Sequence, residues 1–199
     1  MITFVKKITL THRISIFASG SGTNAEILIH HFKTHESIHV NAVFTNKESA
    51  GVVQVAEQNH TPCYFFSNES FEDGDLVLHK LLELKTDYIV LAGFLRKIPG
   101  NIIHAFTERI FNIHPSLLPK HGGKNMYGRK VHEAVLQSGD TETGITIHLV
   151  NEEYDKGRIL AQFSCPVRPG MSVDDISQAV QLLEHQYYKS TIEKHIHHV

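Results

Sequence analysis

Short apolar runs alternate with longer amphipathic stretches over the first 114 residues. The apolar runs have the length of buried strands, and they span residues 14–18, 40–44, 63–66, 88–92 and 109–114. The stretches between them have helical periodicity, at residues 25–32, 49–59 and 71–84. Strands that alternate with helices are typical of a parallel sheet covered on both faces. We therefore predict a doubly wound, mostly parallel α/β sheet.

Beyond residue 144 this alternation stops. Residues 145–150 and 159–166 are two strand-like stretches joined by a short acidic loop, which predicts a strand pair added to the sheet. Ser172 and Asp175 have the spacing of a capping box, at which a long C-terminal helix should begin. The predicted buried stripe of this helix consists of Val173, Ile176, Val180, Leu183 and Tyr187.

A chain of 199 residues is long enough for one domain with one hydrophobic core. We expect a single domain over residues 1–199, with residues 1–12 as an extension ahead of the first strand. Residues 120–128 are rich in glycine and polar side chains, which predicts a flap-like loop.

Charge and cysteine content narrow the function classes. Lys and Arg total 19 against 21 for Asp and Glu, so no broad cationic surface is available for nucleic acid. The first apolar run is too short for a signal peptide and no later run has 18 apolar residues, so we expect a cytoplasmic protein with no membrane partner. Cys63 and Cys165 lack metal-type spacing, and the histidines at 30–39 have no ligand cluster around them, so no metal is predicted.

A glycine-rich turn follows the first strand, at residues 20–25. Its glycines allow positive φ, and the N–H groups of Gly22, Thr23 and Asn24 should be free at the helix start, where anions bind. The same turn fits the loose dinucleotide fingerprint G-x-G-x-x-A, so a dinucleotide-binding module is an alternative. The second strand, however, lacks an acidic residue at its end for the ribose hydroxyls. We favour a site for one phosphate monoester.

The strand at residues 109–114 carries two polar side chains. Alternation places Phe111 and Ile113 on one face and Asn112 and His114 on the other. Pro115 should end the strand there, at the edge where open α/β sheets bind ligands. An amide can donate to an oxyanion while an imidazole moves a proton. The alternative is that both side chains only stabilise a turn by hydrogen bonds to its backbone.

Residues 112–119, Asn-Ile-His-Pro-Ser-Leu-Leu-Pro, resemble the signature of the formyltetrahydrofolate-dependent formyltransferases. The resemblance covers nearly the whole chain, and its other matching stretches are Gly20–Asn24, Leu91–Phe94, Gly144–His148, Asp155 and Glu184–His185. It is similar to the members that act in de novo purine biosynthesis. The resemblance implies a Rossmann-like fold and direct transfer of the formyl group of 10-formyltetrahydrofolate, through a tetrahedral intermediate, to the glycyl amine of N1-(5-phospho-D-ribosyl)glycinamide.

The resemblance also implies roles for individual residues. Asn112, His114 and Asp155 are the expected catalytic set. A carboxylate at residue 155 should raise the pKa of His114 and orient its ring, although Asp-x-Gly is also common turn chemistry. The expected folate-binding residues are Leu95, Arg96, Lys97, Ile98 and Asn112.

By the same resemblance, one acceptor molecule should contact residues from two distant parts of the sequence. Its phosphate is expected on residues 22–24, and its ribose on Glu184, a carboxylate that helical spacing places on the inward face of the last helix. Partners should be small molecules only, and we expect a monomer or a weak homodimer. A formyltetrahydrofolate hydrolase, with water as acceptor, is the other alternative. Gly74 and Thr143 depart from residues found at those places in some family members.

Overall fold

The computed structural model describes residues 11–198, which form a central sheet with helices on both faces. The strands are β1 (His12–Phe17), β2 (Ile38–Thr45), β3 (Cys63–Phe65), β4 (Tyr88–Leu91), β5 (Ile110–His114), β6 (Glu142–Leu149) and β7 (Ile159–Pro166). Their order is β3-β2-β1-β4-β5-β6-β7. The first five strands are parallel, whereas β6 and β7 are antiparallel to their neighbours. The predicted fold class and the added strand pair are confirmed.

Seven helices are present in the described part of the chain. They are α1 (Thr23–Phe32), α2 (Gly51–Gln58), α3 (Asn68–Asp73), α4 (Asp75–Glu83), α5 (Gly100–Ala105), α6 (Arg129–Ser138) and α7 (Val173–Ile196). The single helix predicted over 71–84 was wrong, because Gly74 adopts φ 82° and ends α3 where α4 begins. Helix α5 was not predicted, since its six residues are too few to show a period.

The predicted extension also needs correction. Residues 1–10 of it lie outside the described residues, and His12 already belongs to β1. The 120–128 segment is an irregular loop, as its composition predicts. None of the helices within residues 11–198 is both long and apolar enough to cross a membrane.

The core consists of two apolar layers separated by the sheet. One layer packs α1, α2, α6 and α7 against residues that include Phe111 and Ile113 of β5. The other packs α3, α4 and α5 against residues that include Ile110 of the same strand. Because side chains alternate along a strand, this arrangement confirms the predicted faces of β5.

The direction of winding reverses between β1 and β4. Strands β2 and β3 lie on one side of β1, and β4 and β5 lie on the other. The loops after β1 and β4 meet at this reversal, where the Ser19 N–H donates to the Gly93 carbonyl at 3.1 Å. Such a switch point opens a crevice at the carboxyl ends of the strands.

Helix α7 is fixed to the centre of the sheet by one buried side chain. The Tyr188 hydroxyl donates to the carbonyls of Leu91 in β4 (2.9 Å) and Phe111 in β5 (3.3 Å). Burial raises the pKa of this hydroxyl well above its ordinary value, so it stays a donor. The predicted stripe was right at Ile176 and Val180, but the fully buried tyrosine is Tyr188 and Tyr187 is only half-buried.

We expect Tyr188→Phe to lower the free energy of unfolding by about 1–1.5 kcal/mol, because a buried hydrogen bond is lost while the ring remains. Urea denaturation followed by circular dichroism measures the change. Tyr187→Phe is the matched control, since the Tyr187 ring stacks on Phe163 and its hydroxyl has no hydrogen-bond partner within residues 11–198. Equal losses in the two variants would contradict the role of the Tyr188 hydroxyl.

Candidate active site

A cavity of about 720 Å³ occupies the crevice at the carboxyl ends of the strands. It is bounded by the loops after β4 and β5, by the loop between β6 and β7, and by α6 and α7. The predicted site residues that line it are Asn24, Leu95, Arg96, Lys97, Ile98, Asn112, His114, Asp155 and Glu184. The structure thus brings together residues that are up to 160 positions apart.

Gly22 and Thr23 are the two predicted site residues outside this lining. Gly22 is buried, with φ 87° and ψ 10°, and it precedes α1 without a side-chain cap. A Cβ at this position would lie 2.7 Å from Cα of Val52, so packing against α2 by itself requires glycine. A phosphate site at residues 22–24 therefore stays a prediction.

The amide of Asn112 is oriented by a neighbour on the adjacent strand. Strand pairing places Asn112 opposite His148, and Asn112 Nδ2 lies 3.0 Å from His148 Nε2. His148 Nδ1 lies 3.0 Å from the Leu149 carbonyl, which can only accept, so the neutral ring carries its proton on Nδ1. His148 Nε2, which also lies 3.7 Å from Asp155 Oδ1, is then the acceptor for one amide hydrogen of Asn112. The other amide hydrogen has no acceptor within residues 11–198 and can donate to a ligand.

Sequence reasoning gave His148 no role of its own. His148 belongs to the matching stretch 144–148, but its contact with Asn112 depends on the register between β5 and β6. The alternation of polar and apolar residues along β6 was the available signal, and it does not fix a register.

His114 is buried, with 4% of its surface exposed. Its Nε2 lies 2.8 Å from the His121 carbonyl, which assigns a proton to Nε2, and its Nδ1 lies 3.5 Å from Asp155 Oδ2. The expected rise in the pKa of His114 was wrong. Asp155 does act in that direction, but burial is the larger effect and places the pKa of His114 below its ordinary value. The ring is therefore neutral near pH 7.

Asp155 is held by the 120–128 loop. Its backbone is left-handed, with φ 55°, and its Oδ2 accepts a hydrogen bond from the Gly123 N–H at 2.8 Å. Burial opposes ionisation of Asp155, but His148, His114 and the Gly123 N–H together keep its pKa below its ordinary value. A charged carboxylate thus faces a neutral imidazole.

Glu184 lies half-buried on α7 and lines the cavity. Its Oε2 accepts a hydrogen bond from Asn24 Nδ2 at 2.8 Å. Burial raises the pKa of Glu184, and the bond from Asn24 partly offsets that effect. The predicted ribose ligand and one of the predicted phosphate ligands are therefore in direct contact.

The loop after β4 supplies one wall of the cavity. Ile98 is buried, whereas Leu95 is 48% exposed and its N–H donates to Ser19 Oγ at 3.3 Å. Arg96 Nε donates to Asn68 Oδ1 at 2.9 Å. This wall combines apolar side chains with a cationic one. Further lining residues that the sequence did not single out include Asn68, Met126, Tyr127, His132, Tyr154 and Gln181.

The two departures from the family pattern lie outside this cavity. Gly74 separates α3 from α4. Thr143 is buried, and it lines a second cavity of about 250 Å³ behind the 120–128 loop.

Within residues 11–198, no three His, Cys, Asp or Glu side chains are arranged to hold a metal ion. Two of the histidines near residue 30 have a structural partner instead. His31 of α1 and His35, just beyond it, both contact Glu193 of α7, at 2.8 and 3.3 Å.

This chain is similar in sequence to two plant formyltransferases. The chloroplastic phosphoribosylglycinamide formyltransferase of Vigna unguiculata is 41% identical over 187 residues, which cover 91% of this chain and 60% of the relative. Its counterpart in Arabidopsis thaliana is 38% identical, with 90% and 64% covered. This chain thus spans less than two thirds of the length of either plant relative.

The fold is also similar to that of a solved structure with the same enzyme name as these relatives. The crystal structure of phosphoribosylglycinamide formyltransferase from Brucella melitensis is 35% identical, with a TM-score of 0.82, and the match covers 92% of this chain and 95% of that one. The formyl transferase family itself matches residues 12–192. This match includes every residue described above as lining the cavity, and the chain belongs to the formyl transferase family.

Proposed function

We propose that this protein transfers the formyl group of 10-formyltetrahydrofolate to the glycyl amine of N1-(5-phospho-D-ribosyl)glycinamide, a step of de novo purine biosynthesis. The main support for the proposal is that Asn112, His114 and Asp155 line the same cavity. The printed names of the relatives support the choice of acceptor. The cytoplasmic location stays a prediction, because the names of both plant relatives place them in the chloroplast.

In the proposed reaction the amine nitrogen attacks the formyl carbon and an oxyanion forms. The free amide hydrogen of Asn112 donates to this oxyanion. The bond between the formyl carbon and the folate nitrogen then breaks. The proton that the amine loses reaches that nitrogen through His114 Nδ1 or through a water held by Asp155. His114 suits this task because it is neutral and because its Nδ1 faces the charged carboxylate.

A covalent intermediate on the enzyme is not part of the proposal. Burial raises the pKa of both Cys63 and Cys165, so their thiols are poor nucleophiles. Direct attack by the amine also requires no nucleophilic side chain.

The two substrates are proposed to enter from opposite ends of the cavity. The flat pterin ring suits the wall formed by Leu95 and Ile98, with Arg96 near the folate tail. The ribose hydroxyls are proposed to donate to Glu184, and the phosphate to accept from the N–H groups of residues 22–24. The amine then points toward His114.

We expect Asn112→Ala to lower kcat by about 10²–10³, because one oxyanion donor is lost, while binding of a folate analogue is largely kept. Asn112→Asp should behave similarly, since a carboxylate has the same shape but donates no hydrogen bond. Asn59→Ala, outside the cavity, is the control. Full turnover in Asn112→Ala would remove this residue from the mechanism.

We expect Glu184→Ala to weaken binding of the ribonucleotide by about 1.5–3 kcal/mol, the range for hydrogen bonds to a charged group, with folate binding nearly unchanged. Isothermal titration measures both affinities. Glu193→Ala is the matched control, because Glu193 lies on the same helix but outside the cavity. If folate affinity falls as much as ribonucleotide affinity in Glu184→Ala, the ribose assignment is wrong.

The acceptor itself is tested by following the absorbance of released tetrahydrofolate. We expect transfer with glycinamide ribonucleotide, little turnover when it is omitted, and weaker use of its dephosphorylated form. Equal rates without the ribonucleotide would identify water as acceptor and make the protein a hydrolase. Equal rates with the dephosphorylated compound would exclude the phosphate site at residues 22–24.

Binding of a reduced nicotinamide without folate binding would support a dinucleotide-binding module.

A further inference from the structure

The 120–128 loop is bonded to two side chains of the proposed catalytic set. The His121 carbonyl accepts from His114 Nε2, and the Gly123 N–H donates to Asp155 Oδ2, both at 2.8 Å. The position of this loop therefore determines what each ring nitrogen of His114 contacts. His121 itself adopts φ 53°, a conformation that residues with a side chain seldom adopt. A local anchor is needed to keep it there.

That anchor is Asp140, two residues beyond the end of α6. Its Oδ2 lies 2.7 Å from His121 Nε2, and its Oδ1 accepts from Lys120 Nζ at 2.8 Å. The bonds from His121 and then Lys120 hold the pKa of Asp140 well below its usual range, so it is charged. Asp140 and His121 line the second cavity, behind the loop, and neither lines the large one.

We infer that Asp140 and His121 are positioning residues for His114: the carboxylate holds the His121 ring, and the His121 carbonyl keeps the His114 proton on Nε2. This inference rests on the proposed function, in which the unprotonated Nδ1 of His114 moves the proton. A neutral histidine has two tautomers, and a carbonyl stabilises the one that donates to it. Without that carbonyl, the proton would be drawn to Nδ1, which faces the Asp155 carboxylate.

Two variants test the inference from opposite sides of the contact. Asp140→Ala removes the carboxylate, and His121→Ala removes the ring but leaves the carbonyl. Asp140→Asn keeps a neutral hydrogen bond, so its His114 tautomer and its kcat should be closer to those of the unsubstituted protein than those of Asp140→Ala. Lys120→Met is the matched control, because it removes the other partner of Asp140 without touching His121 or His114.

The deciding measurement is the tautomer of His114, read from the 15N shifts of its ring in the full chain labelled at histidine. His114→Ala identifies the signal among the sixteen histidines. We expect one tautomer, with the proton on Nε2, in the unsubstituted protein and in Lys120→Met. Asp140→Ala and His121→Ala should show a shift toward the Nδ1 form. An unchanged His114 signal in both variants would overturn the inference.

Kinetics supply a second readout. We expect kcat to fall about 10-fold or more in Asp140→Ala and in His121→Ala, since a small misplacement of a reacting group is costly, with KM for both substrates within about twofold because neither residue touches them. The double variant should be no slower than the slower single one. Additive losses of kcat in the double variant, or an equal loss of kcat in Lys120→Met, would contradict the inference.

The tautomer measurement needs no substrate, so it tests the inference even if the proposed formyl transfer is not observed.

Discussion

The antiparallel pairing of β5 with β6 is the constraint on which the site depends. It places His148 directly opposite Asn112 and Thr146 opposite His114. Because side chains alternate, a slip of one residue would turn His148 to the other face and leave the Asn112 amide without its partner. The same pairing directs the loop after β6 toward the crevice, where Asp155 faces His114. The register between β5 and β6 thus sets the positions of both His148 and Asp155 relative to β5.

Burial acts on three ionisable side chains that line the cavity, His114, Asp155 and Glu184, with different net results. It lowers the pKa of His114 and raises that of Glu184, because in each case the neutral form is favoured away from water. Asp155 differs because His148, His114 and the Gly123 N–H surround its carboxylate, and their combined effect on its pKa exceeds that of burial. A neutral base beside a fixed anion results from packing and hydrogen bonding together, and neither would produce it alone.

The alternation of apolar runs and helical stretches was sufficient to predict five parallel strands, because both signals are local in sequence. The position of Asn112 and His114 at the end of β5 was predictable for the same reason, since alternation and Pro115 act within a few residues. Other features depend on distant contacts and were not predictable. The division of a helix at Gly74, the role of His148 and the net effect of burial on His114 each require knowledge of neighbours that only the folded chain supplies.

Helix α7 connects the sheet to the cavity through two residues one turn apart. Tyr188 is bonded to the carbonyls of β4 and β5, and Glu184 is bonded to Asn24 at the start of α1. One turn of helix rises about 5.4 Å and does not stretch. The separation between strands β4 and β5 and the Glu184 carboxylate is therefore a fixed length of backbone. Under the proposed function, an acceptor whose amine and ribose are spaced differently would find no flexible element on this helix.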